Sequence, residues 1–263
     1  MRRFTPYRTP RINVDIAELD YGNAIDLAQW SPSLYEARLT TFLRMVVRHP
    51  DPIREGTVTD PRQWTVQERH AVQAHYIAHT YPEFDFQVGE SARFSQYLHQ
   101  SVRTAEDIPL GPIAGDEWTL RPLLGMHAEA IERLILGRRI PGKQAGWISG
   151  ALACQLVASD ETEEGFLRDS KLPTDPLETL PDAQVDEWVF RRVEVFKRFA
   201  QSDLSDMLRA FLLGCEQQQH LVRINFNDQG PVLVSEVPGV GPARFPLSNV
   251  FEGIIARLLA VAD

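Results

Sequence analysis

The chain has 263 residues, of which 43% are hydrophobic, and a formal net charge of −9. This hydrophobic content can bury the core of one large domain or of two small ones. The acidic surface repels phosphate backbones and anionic lipids, so nucleic acid is not expected as the main partner. No apolar stretch is long enough to cross a bilayer, and membrane insertion is not expected either.

The N-terminus is basic but leads into no apolar segment, which argues against a secretory signal. Arg2, Arg3 and Arg8 are instead expected to form a flexible tether to an acidic neighbour. The two cysteines, Cys154 and Cys215, lie far apart inside helical patterns. Buried free thiols in a chain made in a reducing cytoplasm are expected here rather than a disulfide.

The first predicted element is a β-hairpin. Residues 13–16 and 24–27 alternate between apolar and polar side chains, and the turn-forming residues 20–23 lie between them.

Two helices are predicted next, each from a capping box, in which Ser or Thr is followed three residues later by Glu. Ser33 and Glu36 would begin the first, which is expected to stop near residues 49–52. Thr65 and Glu68 would begin the second, which is expected to run to about Thr80.

Large aromatic residues cluster in segment 84–97 and again in the C-terminal region 237–255. One interpretation is a loop that lies over the core. The other is a surface that contacts a neighbouring subunit, because aromatic residues are enriched at the centres of interfaces. In the second interpretation, the interface candidates are Phe84, Phe86, Phe94, Tyr97, Phe245 and Phe251.

A proline- and glycine-containing stretch at residues 104–115 is the best candidate boundary, and it predicts domains 1–110 and 111–263. A strand at 117–120 and a helix at 126–136 follow. The next helix carries Trp147, and the turn before it is short, so the two helices are predicted to form an antiparallel pair.

The rest of the chain alternates loops with helices and one further hairpin. Residues 159–182 read as an acidic surface loop. Helices are predicted from about Pro181 and after Ser202, a hairpin over residues 222–234, and a short helix over residues 249–259. The predicted fold class is α+β and helix-rich, with separated β-hairpins packed against amphipathic helices.

One residue pattern admits metal chemistry. His75 and His79 lie one helical turn apart, a spacing that can chelate zinc when a third ligand joins them. The zinc-protease pattern requires Glu directly after the first His, and Tyr76 stands there. A metal-dependent enzyme that uses this pair is therefore kept only as the alternative function. Catalytic residues, cofactors and metals are otherwise not expected.

Several segments resemble structural and assembly proteins of tailed bacteriophages. The first group comprises Trp64–Arg69, Tyr76–Ala78, Phe84–Gly89 and Ser95–Leu98. The strand–turn segment Trp118–Gly125, which precedes a helix rich in Glu and Ala, is similar to one in tail-assembly and baseplate-hub proteins.

The resemblance covers roughly residues 60–157 and includes structural positions but no catalytic ones. It implies a non-enzymatic component of the tail tip or baseplate hub that acts through protein–protein contacts. The implied partners are other tail or baseplate proteins, with a symmetric oligomer as one arrangement. The implied location is the virion, after synthesis in the host cytoplasm. A place in the particle and a transient chaperone role both remain open.

Overall fold

The computed structural model describes residues 4–80, 85–90, 92–98, 105–158 and 179–245. These ranges contain seven α-helices and ten short strands, which confirms the predicted helix-rich α+β class. The described residues divide into two compact units. Unit 1 comprises the described residues up to 98, together with residues 221–225 and 232–245. Unit 2 comprises residues 105–158, 179–220 and 226–231. None of the helices in the described part of the chain is long and apolar enough to cross a membrane.

Unit 1 combines small antiparallel sheets with three helices. A three-stranded sheet has the order β1-β2-β3, with Tyr7 opposite Val14 and Asp15 opposite Arg48. A second pair of strands, β4 and β5, leads directly into a 3-10 helix, Phe94–Tyr97. The elements are β1 (Tyr7–Arg8), β2 (Asn13–Ile16), α1 (Tyr21–Ala28), α2 (Tyr35–Val46), β3 (Val47–Arg48), α3 (Val66–Thr80), β4 (Gln87–Val88) and β5 (Ala92–Arg93).

The predicted hairpin of residues 13–16 and 24–27 is wrong, because the second segment is helical. The Asp20 side chain accepts a hydrogen bond from the Asn23 backbone N–H and so caps the start of α1. Ala24 and Leu27, three positions apart, then form the buried face of that helix. Strand β2 pairs with β1 and β3 instead.

The expected flexible tether is also wrong for Arg8. Its guanidinium forms an ion pair with the Asp15 carboxylate at 2.6 Å, and Arg8 itself lies in β1. Arg2 and Arg3 lie outside the described residues.

The two predicted capping boxes differ in outcome. The helix from Thr65 is confirmed, since the Thr65 backbone N–H donates to the Glu68 carboxylate at 2.8 Å and the Glu68 N–H to the Thr65 hydroxyl at 3.1 Å. Helix α2 exists as predicted, but its N-cap is Leu34, and the Ser33 hydroxyl bonds to that of Ser31. Glu36 turns into the core instead of capping the helix.

Unit 2 is built on a three-stranded antiparallel sheet with β7 in the centre, flanked by four helices. The strand and helix predicted around residues 117–136, the two helices beginning near Pro181 and Ser202, and the final hairpin are confirmed. The elements are β6 (Ile108–Ile113), β7 (Asp116–Leu120), α4 (Gly125–Leu136), α5 (Lys143–Gln155), β8 (Leu156–Ala158), α6 (Asp182–Phe196) and α7 (Gln201–Gln217). The final hairpin consists of β9 (Ile224–Asn227) and β10 (Gly230–Leu233), and its residues are divided between the two units.

The proline- and glycine-containing stretch 104–115 includes strand β6, which is paired with β7. Gly111 has a positive φ of 79° at the point where the pairing register shifts, which explains the glycine. Residues 221–225 and 232–245 belong to unit 1, so the chain returns to it after unit 2. The predicted domains 1–110 and 111–263 divide the sequence at a single point, whereas unit 1 contains residues from both sides of unit 2.

The predicted packing of α4 on α5 is confirmed, and two glycines explain how close it is. A Cβ placed on Gly150 would lie 2.6 Å from Cγ1 of Ile131, and one on Gly146 would lie 3.1 Å from Cγ1 of Ile135. The two helices therefore approach at positions where α5 has no side chain. Leu134 of α4 is 2% exposed, as expected for this buried stripe.

Candidate functional site

The aromatic interface candidates that the structure describes lie in the core of unit 1. Phe86 stacks on Phe94 with ring centroids 5.0 Å apart, and Phe94 and Tyr97 meet Phe245 at 5.7 and 5.9 Å. The expectation that these four side chains project from the surface is wrong, because all four are buried. They pack against one another and against apolar residues of α3 and β10. The other two candidates, Phe84 and Phe251, lie outside the described residues, as do the predicted helix 249–259 and most of loop 159–182.

A cluster of charged side chains is buried beside this aromatic core, and we call Glu36, Arg69, His70 and Arg244 the Glu36 cluster. Arg69 Nη1 lies 3.4 Å from Glu36 Oε2. His70 Nε2 lies 3.6 Å and Arg244 Nη2 3.8 Å from Glu36 Oε1. One carboxylate thus faces two guanidinium groups and one imidazole.

The surroundings determine which groups of the cluster are charged. Burial by itself raises the pKa of the Glu36 carboxyl. The charge of Arg69, the hydrogen bond and charge of His70, and the charge of Arg244 act in the opposite direction. Together they outweigh burial and lower the pKa of Glu36 to about 2. Burial lowers the pKa of His70, and the Glu36 carboxylate offsets this only in part. At neutral pH, Glu36 is therefore an anion and His70 is neutral.

Further hydrogen bonds connect the cluster to the backbone around it. Arg69 Nη2 donates to the Glu36 carbonyl at 2.6 Å and to the Thr40 hydroxyl at 3.0 Å. The Arg244 guanidinium lies 3.7 Å from the centre of the Tyr35 ring, and the Tyr35 hydroxyl donates to the Phe245 carbonyl at 2.9 Å. The cluster therefore holds α2, α3 and the segment 244–245 together.

Burial prevents Glu36, Arg69 and His70 of the Glu36 cluster from contacting molecules in solution. The side chains of Glu36, Arg69 and His70 have no exposed surface. A substrate in solution cannot reach groups that are enclosed in this way, so the arrangement serves the fold of unit 1.

His75 and His79 are the half-exposed titratable pair of α3. Their ring centroids lie 4.3 Å apart. His75 Nε2 donates to the Thr5 carbonyl at 2.8 Å, and His79 Nε2 lies 2.9 Å from the Thr5 hydroxyl. Burial and the neighbouring His79 lower the pKa of His75, which keeps its ring neutral at pH 7. Within the described residues, no group of three or more His, Cys, Asp or Glu side chains is arranged to hold a metal.

Both cysteines are free thiols, as predicted. Cys154 is buried and Cys215 half-buried. Burial raises the pKa of the Cys154 thiol far above its usual range and that of Cys215 to about 12. Neither thiol is therefore activated as a nucleophile.

Unit 2 exposes apolar side chains on α7. Its buried face consists of Met207, Phe211 and Gly214, with a Cβ on Gly214 lying 2.7 Å from the Leu120 side chain. Leu212 and Leu213 are 51% and 60% exposed. Leu204 and Leu208 are half-buried at helical spacing from Leu212. We call Leu204, Leu208, Leu212 and Leu213 the α7 strip.

Neither the Glu36 cluster nor the α7 strip was predicted from the sequence. A signal for the first was available, since Glu36 lies three and seven positions before Leu39 and Leu43 and thus on the apolar stripe of α2. No local pattern marks the second, because Leu204, Leu208 and Leu212 have the helical spacing that is also typical of a buried stripe, whereas the residues that α7 buries are Met207, Phe211 and Gly214.

Compared with protein-family models, curated proteins and solved structures, the chain has no match.

Proposed function

We propose that this chain is a non-enzymatic structural or assembly component of a bacteriophage tail, in the region of the tail tip or baseplate hub. It acts through contacts with other tail or baseplate proteins. The resemblance of segments 64–98 and 118–125 supports the kind of particle, and the α7 strip supports the mode of action.

The α7 strip is the observation on which the proposal depends. Helix α7 has one apolar face that packs inside unit 2. Outside that face, Leu212 and Leu213, whose side chains leave the helix about 100° apart, keep about half or more of their area in water. Burying one leucine side chain fully is worth about 1.5–3 kcal/mol. Exposed apolar side chains that adjoin half-buried leucines are typical of a surface that a protein partner covers.

Charge supports a protein as the partner. The net charge of −9 disfavours nucleic acid and anionic lipid, whose phosphates repel such a surface. A protein with an apolar groove and basic residues at its rim would fit a leucine strip on an acidic chain.

The reactive side chains of the described residues support a structural role as well. Both thiols have raised pKa values, and Glu36 and His70 are enclosed in the core of unit 1. These groups stabilise the fold where they lie.

Replacing both exposed leucines tests the proposal. The double variant Leu212→Ser and Leu213→Ser is expected to fold as the wild type does, because both side chains are largely exposed, but to lose its place in tail particles. Leu136→Ser is the matched control, since Leu136 is an exposed leucine near the end of α4 in the same unit. Incorporation is measured by mass spectrometry of purified particles. If the double variant is incorporated as well as the control, the α7 strip is not the contact surface.

A further inference from the structure

His75 and His79 of α3 both face Thr5, which lies outside the helix. Both side chains leave α3 from successive turns, and both Nε2 atoms face the Thr5 hydroxyl, at 3.4 Å for His75 and 2.9 Å for His79. The Thr5 carbonyl is also close, 2.8 Å from His75 Nε2. Both imidazoles therefore meet Thr5, His75 at the hydroxyl and the carbonyl and His79 at the hydroxyl.

We propose that His75, His79 and Thr5 form a binding site for a divalent first-row transition-metal ion of the kind that prefers imidazole, with Cu2+ bound most tightly. The site goes beyond the proposed function and does not depend on it. Its third donor is an oxygen of Thr5, a residue type outside the His, Cys, Asp and Glu that usually complete such sites.

The distances suit such an ion. Ligand atoms about 2.0–2.1 Å from a metal lie about 2.9 Å apart at right angles and about 3.3 Å apart at the tetrahedral angle. The separations of 2.8, 2.9 and 3.4 Å between Thr5 oxygens and the two Nε2 atoms span the same range. In the metal-free chain these contacts are hydrogen bonds. An ion between the atoms would replace them, and the proton that His75 Nε2 donates to the Thr5 carbonyl would move to Nδ1 of the same ring.

The second nitrogen of His79 is already arranged as in known metal sites. His79 Nδ1 donates to the backbone carbonyl of His75 at 2.8 Å. This bond leaves Nε2 as the unprotonated nitrogen, which is the form that binds a metal, and it fixes the direction of the ring.

Aromatic contacts hold the third donor in place. The Phe4 ring stacks on Tyr76 with centroids 4.9 Å apart, and the Tyr7 ring meets His75 edge-on at 5.1 Å. Thr5, which lies between these two residues, is thereby positioned over the pair. Thr5 is itself exposed and the histidines are half-exposed, so an ion can enter from solution. A bound ion would tie the 4–8 segment to α3.

Titration calorimetry of the full chain with Cu2+ and with Zn2+ tests the site. The expected result is one equivalent per chain, with Cu2+ bound more tightly than Zn2+. His75→Ala and His79→Ala are each expected to weaken Cu2+ binding by at least about tenfold. His79→Gln, which keeps a polar side chain but lacks the imidazole nitrogen, should weaken it equally. His49→Ala is the control, because His49 is a half-exposed histidine that bonds to the Thr59 carbonyl away from the pair.

Hydrogen exchange supplies the readout for Thr5. Cu2+ is expected to slow amide exchange in residues 5–8 of the wild type and to leave it unchanged in His79→Gln. The proposal is overturned if Cu2+ does not bind one per chain or if its affinity survives loss of either histidine. Faster exchange of residues 5–8 with Cu2+ would overturn it too, because the ion would then displace Thr5 rather than bind it.

Discussion

Units 1 and 2 each bury an arginine, and the structure shows different partners for the two guanidinium groups. In unit 1, the buried Arg69 faces the carboxylate of Glu36, so that charge meets opposite charge. In unit 2, Arg192 is equally buried and donates to backbone carbonyls, to that of Ala153 at 2.6 Å and to that of Leu156. These two residues mark the end of α5 and the start of β8, where carbonyls lack helical partners.

The two buried histidines also have different neighbours. Burial lowers the pKa of His70 in unit 1, and the adjacent Glu36 carboxylate offsets only part of that shift. Burial, and then the positive charge of Arg192, lower the pKa of His127 in unit 2 to about 4. Unit 2 also contains a charge pair, since Arg133 Nη1 lies 3.8 Å from the carboxylate of the buried Glu129, and its buried histidine must stay neutral.

Glu36→Gln should have the largest effect and should be confined to unit 1. It removes the negative charge from a site that keeps two guanidinium groups, and breaking a buried pair in this way costs about 3–5 kcal/mol. Hydrogen exchange in α2 and α3, measured at increasing urea, reports the loss. Asp60→Asn is the control, since its pair with Arg44 at 2.9 Å lies on the surface and should cost less than about 1 kcal/mol. Equal effects of the two changes would contradict the role given to the Glu36 cluster.

Leu134→Ala tests how far unit 2 depends on packing. Leu134 is buried between helices, and its truncation should cost about 2–5 kcal/mol in the free energy of unfolding. Leu136→Ala changes the same residue type on the same helix, but Leu136 is 46% exposed and should cost far less. Denaturant unfolding followed through α4 and α5 distinguishes them. A loss well under about 1 kcal/mol for Leu134→Ala would mean that this stripe is not part of the core.

Acid should weaken unit 2 through His127. Because its folded pKa of about 4 lies below the ordinary 6.5, the unfolded chain takes up the proton first as the pH falls. The stability is fully present above pH 6.5 and is lost as the pH falls to about 4, by about 3 kcal/mol. Glu36 acts in a lower window, since its contribution is present above about pH 4.5 and lost toward pH 2.

His127→Gln should flatten the acid response of unit 2 between pH 6.5 and 4, as measured by hydrogen exchange in α4 and α6. His70→Gln is the comparison in unit 1, where burial also lowers the pKa of the histidine and Glu36 offsets only part of that shift, so a flattening of the acid response is expected there as well. A wild-type unit 2 whose stability does not change over this range would show that His127 is not held neutral.

Gly150→Ala should change the free energy of unfolding least, but its effect should depend on one contact, that with Ile131. Alanine normally stabilises a helix relative to glycine by about 0.5–1 kcal/mol. Here the new Cβ would lie 2.6 Å from Ile131, and overpacking of this kind costs about 1–3 kcal/mol. Ile131→Ala should relieve the clash, so the double variant should be more stable than the sum of the single changes predicts. Gly22→Ala is the control, because its nearest neighbour would be at an ordinary 3.5 Å.

The two capping boxes show what could be predicted from the sequence. Thr65 and Glu68 satisfy each other's backbone groups, so local sequence was sufficient to place the start of α3. Ser33 and Glu36 have the same spacing, but Glu36 finds Arg69, which lies 33 positions further along the chain. A local sequence pattern cannot indicate a partner that is so distant in the sequence. The attraction of Arg69 determines where the Glu36 carboxylate lies.

Other errors have similar physical causes. Ile25, Asp26 and Leu27 alternate as in a strand, whereas Ala24 and Leu27 have helical spacing. The hydrogen bond that caps the helix at Asp20 favours the helix. Prolines and glycines concealed strand β6, whose pairing with β7 tolerates them. The aromatic residues near Phe86 and Phe94 were correctly recognised as a cluster, but whether a cluster faces solvent or the core depends on the tertiary fold.

The most direct test of the proposed assembly role is the identity of the proteins that bind the full chain. The tagged chain would be purified from the cells that naturally make it, and quantitative mass spectrometry would identify the proteins recovered with it. The proposal predicts phage tail or baseplate proteins at fixed ratios to the chain, recovered with the Leu136→Ser control but lost with Leu212→Ser and Leu213→Ser. Recovery of no tail protein by the wild type, with the isolated chain fully folded, would contradict it.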